Sequence, residues 1–201
     1  RLQRWYFHRF QKPYLVDIDE MEAPSNKEIV DQVYLKGYWQ NPAFFREIKA
    51  ELLQEIDIPL NAIQALGDED DGLRVGVHVR RGDFIGNPQH EVCDSEYYLR
   101  AIEEMRKRLP GCRFYIFSDD IHYCKSIFSH QPDLKYVEEN DSVRSFLLVK
   151  KCGHFVLSNS SFGWWAQYLK EKPSQVIAPM HWLKNKPTQE MPLFQPHWQL
   201  M

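Results

Sequence analysis

Three short segments carry side chains that could do chemistry. The first is His78-Val-Arg-Arg-Gly-Asp83. It closes a β-branched run, Leu73 to Val79, whose pattern predicts a buried strand. Two adjacent arginines at the end of such a strand are costly unless something anionic meets them. Arginine presents a planar fork suited to bidentate phosphate or carboxylate recognition. Gly82 lets the backbone turn and approach a ligand. Two kinds of partner are open to Arg80 and Arg81: a ligand phosphate, or carboxylates such as Asp83, Asp119 or Asp120. Arg81-Gly82-Asp83 also spells an adhesion tripeptide, but adhesion needs an exposed flexible loop, and this one leaves a core strand.

The second segment is Phe117-Ser-Asp-Asp120, again at a predicted strand end. Its two acids could hold ribose hydroxyls, orient the arginines, or leave Ser118 or Asp119 to cap the next helix. The third is Ser158-Asn-Ser-Ser-Phe-Gly-Trp-Trp165, where a strand ends and a helix begins among small polar residues. The first turn of that helix offers free N–H groups and the positive end of its dipole. Ser160 and Ser161 add hydroxyl donors, so a phosphate could bind without a glycine-rich loop. Plain N-capping above a Trp-rich core face is the simpler alternative. Trp164 and Trp165 are adjacent and cannot share a face, so one of them belongs to the core.

The elements between these segments alternate. Strands are expected at 73–79, 113–118, 134–137, 153–157 and 176–178. Helices are expected at 95–109, 119–128, 141–152 (capped by Asp141) and 158–169. Strand alternating with helix at this spacing implies βαβ units and a parallel sheet, whose ligands bind at the carboxyl ends of the strands. All three segments fall at such ends. Upstream, 33–39 reads as a strand. Asn41-Pro42 reads as the start of a helix running to about 56. A short helix follows Pro59, and Gly67 to Gly72 is an acidic turn.

Composition narrows the class. The 201 residues, 43% hydrophobic and 26% charged, suit one soluble globular domain, or one domain with an appendage. A net charge of -3 excludes a chain-wide basic footprint for nucleic acid. No stretch approaches the roughly 18 apolar residues of a membrane-spanning helix. Arg1 to Phe10 lacks the apolar run of a signal peptide. With no initiator Met, the sequence reads as a piece cut from a longer protein. Cys93, Cys112, Cys124 and Cys152 form no Cys-x-x-Cys pair and are expected to be reduced, in a cytoplasmic setting. Asp17-Ile-Asp19 has the Asp-x-Asp form that many sugar transferases use for a divalent ion, but it lies far in sequence from the strand ends. The histidines other than His78 show no ligand spacing, so no metal site is expected.

In order and spacing the three segments resemble the family eleven glycosyltransferases, the bacterial and animal α-1,2-fucosyltransferases. Gly37-Tyr-Trp-Gln-Asn41 is similar to that family's Gly-Tyr-aromatic-Gln segment, and Pro179-Met-His-Trp182 to its closing segment. The resemblance implies a GT-B architecture of two Rossmann-like α/β halves, of which this chain is the donor-binding one. Residues 33–201 would form that domain, and 1–32 an irregular remnant or linker from a missing N-terminal half. It implies GDP-fucose as donor substrate, no cofactor, no required metal, and inverting transfer to the 2-hydroxyl of a galactose-terminated oligosaccharide or glycolipid. The piece alone would be inactive, and the protein cytoplasmic or peripheral at the inner face of a bacterial membrane.

Within the resemblance, Arg80 and Arg81 are the pyrophosphate clamp, with Ser160, Ser161 and the helix start as the second phosphate contact and Asn159 as a further donor-binding residue. His78 and Asp119 line the nucleotide or the reacting centre, His78 as a catalytic candidate. Asp83 is the candidate for taking the acceptor proton. Two departures stand out. The family's opening Gly-Gly-Leu-Gly-Asn-Gln segment is absent. Ser145 also replaces a frequent acid, which would move guanine recognition elsewhere, for example to Asp141. The alternatives are an α-1,6- or protein O-fucosyltransferase-like enzyme, and a non-catalytic nucleotide-sugar-binding module.

Overall fold

The computed structural model describes residues 15–17, 34–56 and 71–201. Six strands form one sheet: β3 (Arg74–Val79), β4 (Arg113–Ser118), β5 (Leu134–Tyr136), β6 (His154–Val156), β7 (Val176–Ala178) and β8 (Gln199–Leu200). Their spatial order is β5-β4-β3-β6-β7-β8, and every pair is parallel. Numbered from β3, this is the 3-2-1-4-5-6 order of a doubly wound Rossmann sheet. The expected Rossmann-like parallel sheet is therefore present. Its sixth strand, two residues long at the edge, was not foreseen.

The helices follow local rules. α2 (Ser95–Arg108) is capped by Asp94, α3 (Ile121–Ile127) by Asp120 and α4 (Ser142–Lys150) by Asp141. In each, the Asp carboxylate accepts from the N–H three residues on, satisfying a donor that the helix leaves orphaned. α5 (Ser161–Tyr168) follows β6. The helix expected from Asn41 is shorter: a 3-10 turn, Pro42–Phe44, capped by Asn41, precedes α1 (Lys49–Glu55). A separate pair, β1 (Leu15–Asp17) and β2 (Tyr34–Lys36), runs in parallel. The stretch 1–32 thus contains one strand where only irregular chain was expected, and it pairs across the boundary placed at 32/33. The short helix after Pro59 lies outside the described residues.

Burial explains the layering. Val75, Val77 and Val79 of β3 point to one face and pack with Ile102, Met105 and Phe114 beneath α2. Phe155, Leu157, Trp164 and Leu148 close the other face beneath α4 and α5. Each fully buried large side chain contributes about 1.5–3 kcal/mol. A parallel sheet covered on both faces needs such apolar runs, and β3 is buried along its whole length.

Candidate active site

The strand order brings distant motifs together. β3 lies between β4 and β6, so its carboxyl end adjoins both. The reversal between β3 and β6 is the topological switch point, where such sheets open a crevice. The Arg80 loop leaves β3 there and the Ser158–Ser161 turn leaves β6 there. A cavity of about 570 Å³ opens beside them. Its lining includes Arg80, Asp83, Asn159, Ser160 and Ser161. His78, Arg81 and Asp119 are not part of that lining.

The arginines meet carboxylates. Arg80 donates to Asp83 Oδ1 from Nε at 3.1 Å and from Nη2 at 2.6 Å, and its Nη1 lies 2.8 Å from Asp119 Oδ2. Arg81 takes a different course. Its Nε lies 3.4 Å from Asp120 Oδ2, and its guanidinium stacks 3.5 Å over the Tyr123 ring. One arginine thus faces the cavity and the other braces α3. The arginine beside it holds the Asp83 carboxyl below the usual carboxylate range, so Asp83 is ionised.

Asp119 does not cap α3; Asp120 does, while Ser118 Oγ accepts from Asp120 N–H at 3.0 Å. Asp119 instead holds the Arg80 loop, and its Oδ1 accepts from the Arg81 backbone N–H at 2.9 Å. Gly82 leaves room for this contact. A Cβ there would stand 2.7 Å from Asp119 Oδ2.

His78 is buried, and its Nδ1 shares a hydrogen bond with Ser158 Oγ at 2.9 Å. Its ring stacks on Phe162, with centroids 5.2 Å apart. Burial, helped by the nearby Arg80 charge, lowers its pKa from 6.5 to about 4. It is therefore neutral near pH 7 and locks the first turn of α5 to the end of β3. Gly163 permits this approach, since a Cβ there would lie 3.1 Å from His78 Nδ1.

Asn159 spends both amide protons on backbone, one on His90 O and one on Trp182 O, each at 2.9 Å. It ties two loops to the mouth of the cavity. Ser160 occupies the N-cap position of α5, yet its side chain does not cap the helix. The first-turn N–H groups thus lack the side-chain cap that α2, α3 and α4 have. An uncapped helix start attracts an anion through those donors and the dipole.

Two further walls include residues of the Gly37–Asn41 and Pro179–Trp182 segments, to which the sequence assigned no site role. One is Tyr38, Trp39, Gln40, Asn41 and Phe44. Trp39 has φ 58°, a left-handed conformation costly for a bulky residue, and the Trp165 Nε1–H donates to Tyr38 O at 3.0 Å beside it. The other is the strap between β7 and β8, with Trp182, Leu183, Lys186, Glu190 and Leu193. Its signal was the long gap between Ala178 and the chain end.

Among the described residues no group of three His, Cys, Asp or Glu side chains is placed to hold a metal ion. Asp17 lies in β1, and its partner Asp19 falls outside the described residues. No helix among the described residues is long and apolar enough to cross a membrane.

A parallel sheet in this strand order, with an arginine and an uncapped helix start at its switch point, makes this a doubly wound α/β domain of Rossmann type. The family pattern of glycosyl transferase family 11 matches residues 5–201, and the chain belongs to that family. It is similar to an alpha-1,2-colitosyltransferase of Escherichia coli, 34% identical over 181 residues, covering 84% of this chain and 62% of that protein. It also resembles the galactoside 2-alpha-L-fucosyltransferase SEC1 of Bos taurus, 31% identical, covering 75% of this chain and 46% of that protein. The chain thus spans about half to three-fifths of these relatives. Among solved structures, fucosyltransferase NodZ from Bradyrhizobium aligns with TM-score 0.38 and 18% identity, over 63% of this chain and 45% of that one.

Proposed function

We propose that this chain is the donor-binding half of a GT-B enzyme that transfers L-fucose from GDP-fucose to the 2-hydroxyl of a terminal β-galactoside, with inversion. The observation that carries the reading is the meeting of Arg80 and the uncapped start of α5 at one switch-point cavity, in a family 11 chain. The relatives support the linkage, since one is named an alpha-1,2- and the other a 2-alpha-transferase. They differ in the sugar, fucose or colitose, so the donor sugar is the finer part of the proposal.

The chemistry follows from where charge develops. As the acceptor oxygen attacks the anomeric carbon from the far face, the bond from that carbon to the diphosphate oxygen breaks. The electron pair stays on the diphosphate. Fixed donors at the point of developing charge lower the barrier without reorganising. Arg80, the Ser160 and Ser161 hydroxyls and the α5 N–H groups are those donors. His78, being neutral and buried, positions α5 rather than moving a proton. The proton leaving the acceptor hydroxyl goes to the Asp83 carboxylate, which is freed once the diphosphate engages Arg80. No metal is needed, because the leaving charge already has cationic and N–H partners. Four free cysteines fit a reducing compartment such as the cytoplasm.

The test is a transfer assay with lactose as acceptor on the intact enzyme that this half belongs to, with this chain alone as the inactive control, comparing GDP-fucose with GDP-colitose in excess EDTA, with the product linkage read by NMR. The expected product is α-1,2-fucosyl-lactose at a rate unaffected by EDTA. A 6-hydroxyl linkage, a preference for the colitosyl donor, or a loss restored by Mg²⁺ would each overturn the corresponding part.

A further inference from the structure

The charge around the strand-end arginines does not favour a diphosphate on its own. Arg80 and Arg81 are met by Asp83, Asp119 and Asp120, two guanidiniums among three carboxylates, a net charge of -1. His78 adds nothing, since burial keeps it neutral. A nucleoside diphosphate that engages Arg80 must draw it from Asp83 and Asp119, so it gains from a second cation that is not already committed. Besides Arg80 the lining offers one other lysine or arginine, Lys186. Among the described residues it forms no ion pair, with Glu190 of the same strap or with any other acid.

The strap holds Lys186 in place relative to the anion-binding turn. Trp182 is buried, and its carbonyl accepts from Asn159 Nδ2 at 2.9 Å. Asn159 immediately precedes Ser160 at the start of α5. Lys184 N–H donates to Gln89 O at 3.0 Å, and Lys186 N–H to Leu183 O at 3.3 Å. Thr188 Oγ1 donates to Met180 O and closes the strap on itself. The backbone carrying Lys186 is thus anchored four residues from a tie to the phosphate-facing turn. A lysine suits this position, because its ammonium is a mobile point charge that follows a phosphate without fixed geometry.

We propose that Lys186 is the cation that meets the diphosphate of the nucleotide sugar across the cavity from Ser160. This rests on the nucleotide-sugar reading above. Lys186 adds to Arg80 the positive charge that the carboxylates around the arginines offset.

The experiment is calorimetric titration of the full chain and its Lys186→Ala and Lys186→Arg variants with GDP, GMP and guanosine, at two salt concentrations. Lys186→Ala should weaken GDP about tenfold, the worth of one charge-assisted contact. It should change guanosine by no more than about twofold, the range of a surface substitution. The loss should shrink at high salt, and Lys186→Arg should restore most of the affinity. Thermal unfolding should stay unchanged, because the side chain is exposed. Equal losses for GDP and guanosine, or unchanged GDP affinity beside a wild-type chain that binds GDP, would overturn the assignment alone. A wild-type chain that binds no GDP would overturn the nucleotide-sugar reading, and this inference with it.

Discussion

Gly82→Ala tests whether the Arg80 loop is held by Asp119. The glycine is not among those with positive φ, so alanine fits its backbone. The obstacle is spatial. The new Cβ would stand 2.7 Å from Asp119 Oδ2, about 0.7 Å inside the 3.4 Å limit of ordinary contact. A free carboxylate would swing away at little cost. This one is fixed at both oxygens, by Arg80 Nη1 at 2.8 Å and the Arg81 N–H at 2.9 Å. Its side chain is 28% exposed, so the lost contacts are partly replaced by water. We expect a loss of about 1–2 kcal/mol from those contacts. It is offset by about 0.4–1 kcal/mol from the stiffer unfolded chain. The net is about 1 kcal/mol, a fall in Tm of roughly 2–4 °C for a chain of this size. The decisive assay is a double-mutant cycle by urea unfolding. In an Asp119→Ala background the same glycine change should cost nothing, giving a coupling of about 1–2 kcal/mol. Equal costs in both backgrounds would refute the reasoning, because the clash would then lie elsewhere.

Three further outcomes are expected. Stability should fall as the pH drops from 6.5 to about 4. His78 stays neutral when folded, while the unfolded chain takes up its proton in that window. This amounts to up to about 3 kcal/mol, and urea unfolding at pH 7 and pH 5 should show a shallower slope in His78→Asn. Arg80→Ala should weaken GDP binding by about 1.5–3 kcal/mol. Arg81→Ala should instead lower stability by about 1 kcal/mol through its lost stacking on Tyr123, with calorimetry separating the two effects. Finally, Cys93 and Cys152 have thiols pushed up to about 12 by burial, and Cys124 to about 11, so a thiol reagent should react slowly with native protein and fully after denaturation.

The sequence alone determined most of the local elements from Leu73 to Ala178, but not β1, β8 or the short extent of α1. Asp141 before an apolar-periodic run marks a capped helix, and Val75-Gly-Val-His-Val79, short and rich in β-branched residues, reads as a buried strand, because these signals act within one turn or one pleat. It also placed three polar motifs at strand ends and named eight residues there, of which Arg80, Asp83, Asn159, Ser160 and Ser161 line the cavity while His78, Arg81 and Asp119 do not. Other features were decided only by the tertiary structure. Strand order is a long-range choice, and nothing near Ser158 says that β6 pairs with β3 rather than with β5. That pairing puts the α5 start beside the Arg80 loop. Adjacent arginines look equivalent in sequence, yet neighbours beyond a strand end project differently, so one faces the cavity and the other lies on Tyr123. Gly82 serves a carboxylate 37 residues away in sequence, Asp119. The strap that brings Lys186 to the cavity has no periodicity to read. Its course is fixed by single hydrogen bonds, from Asn159 to Trp182 and from Lys184 to Gln89, between segments that meet only when the sheet has formed.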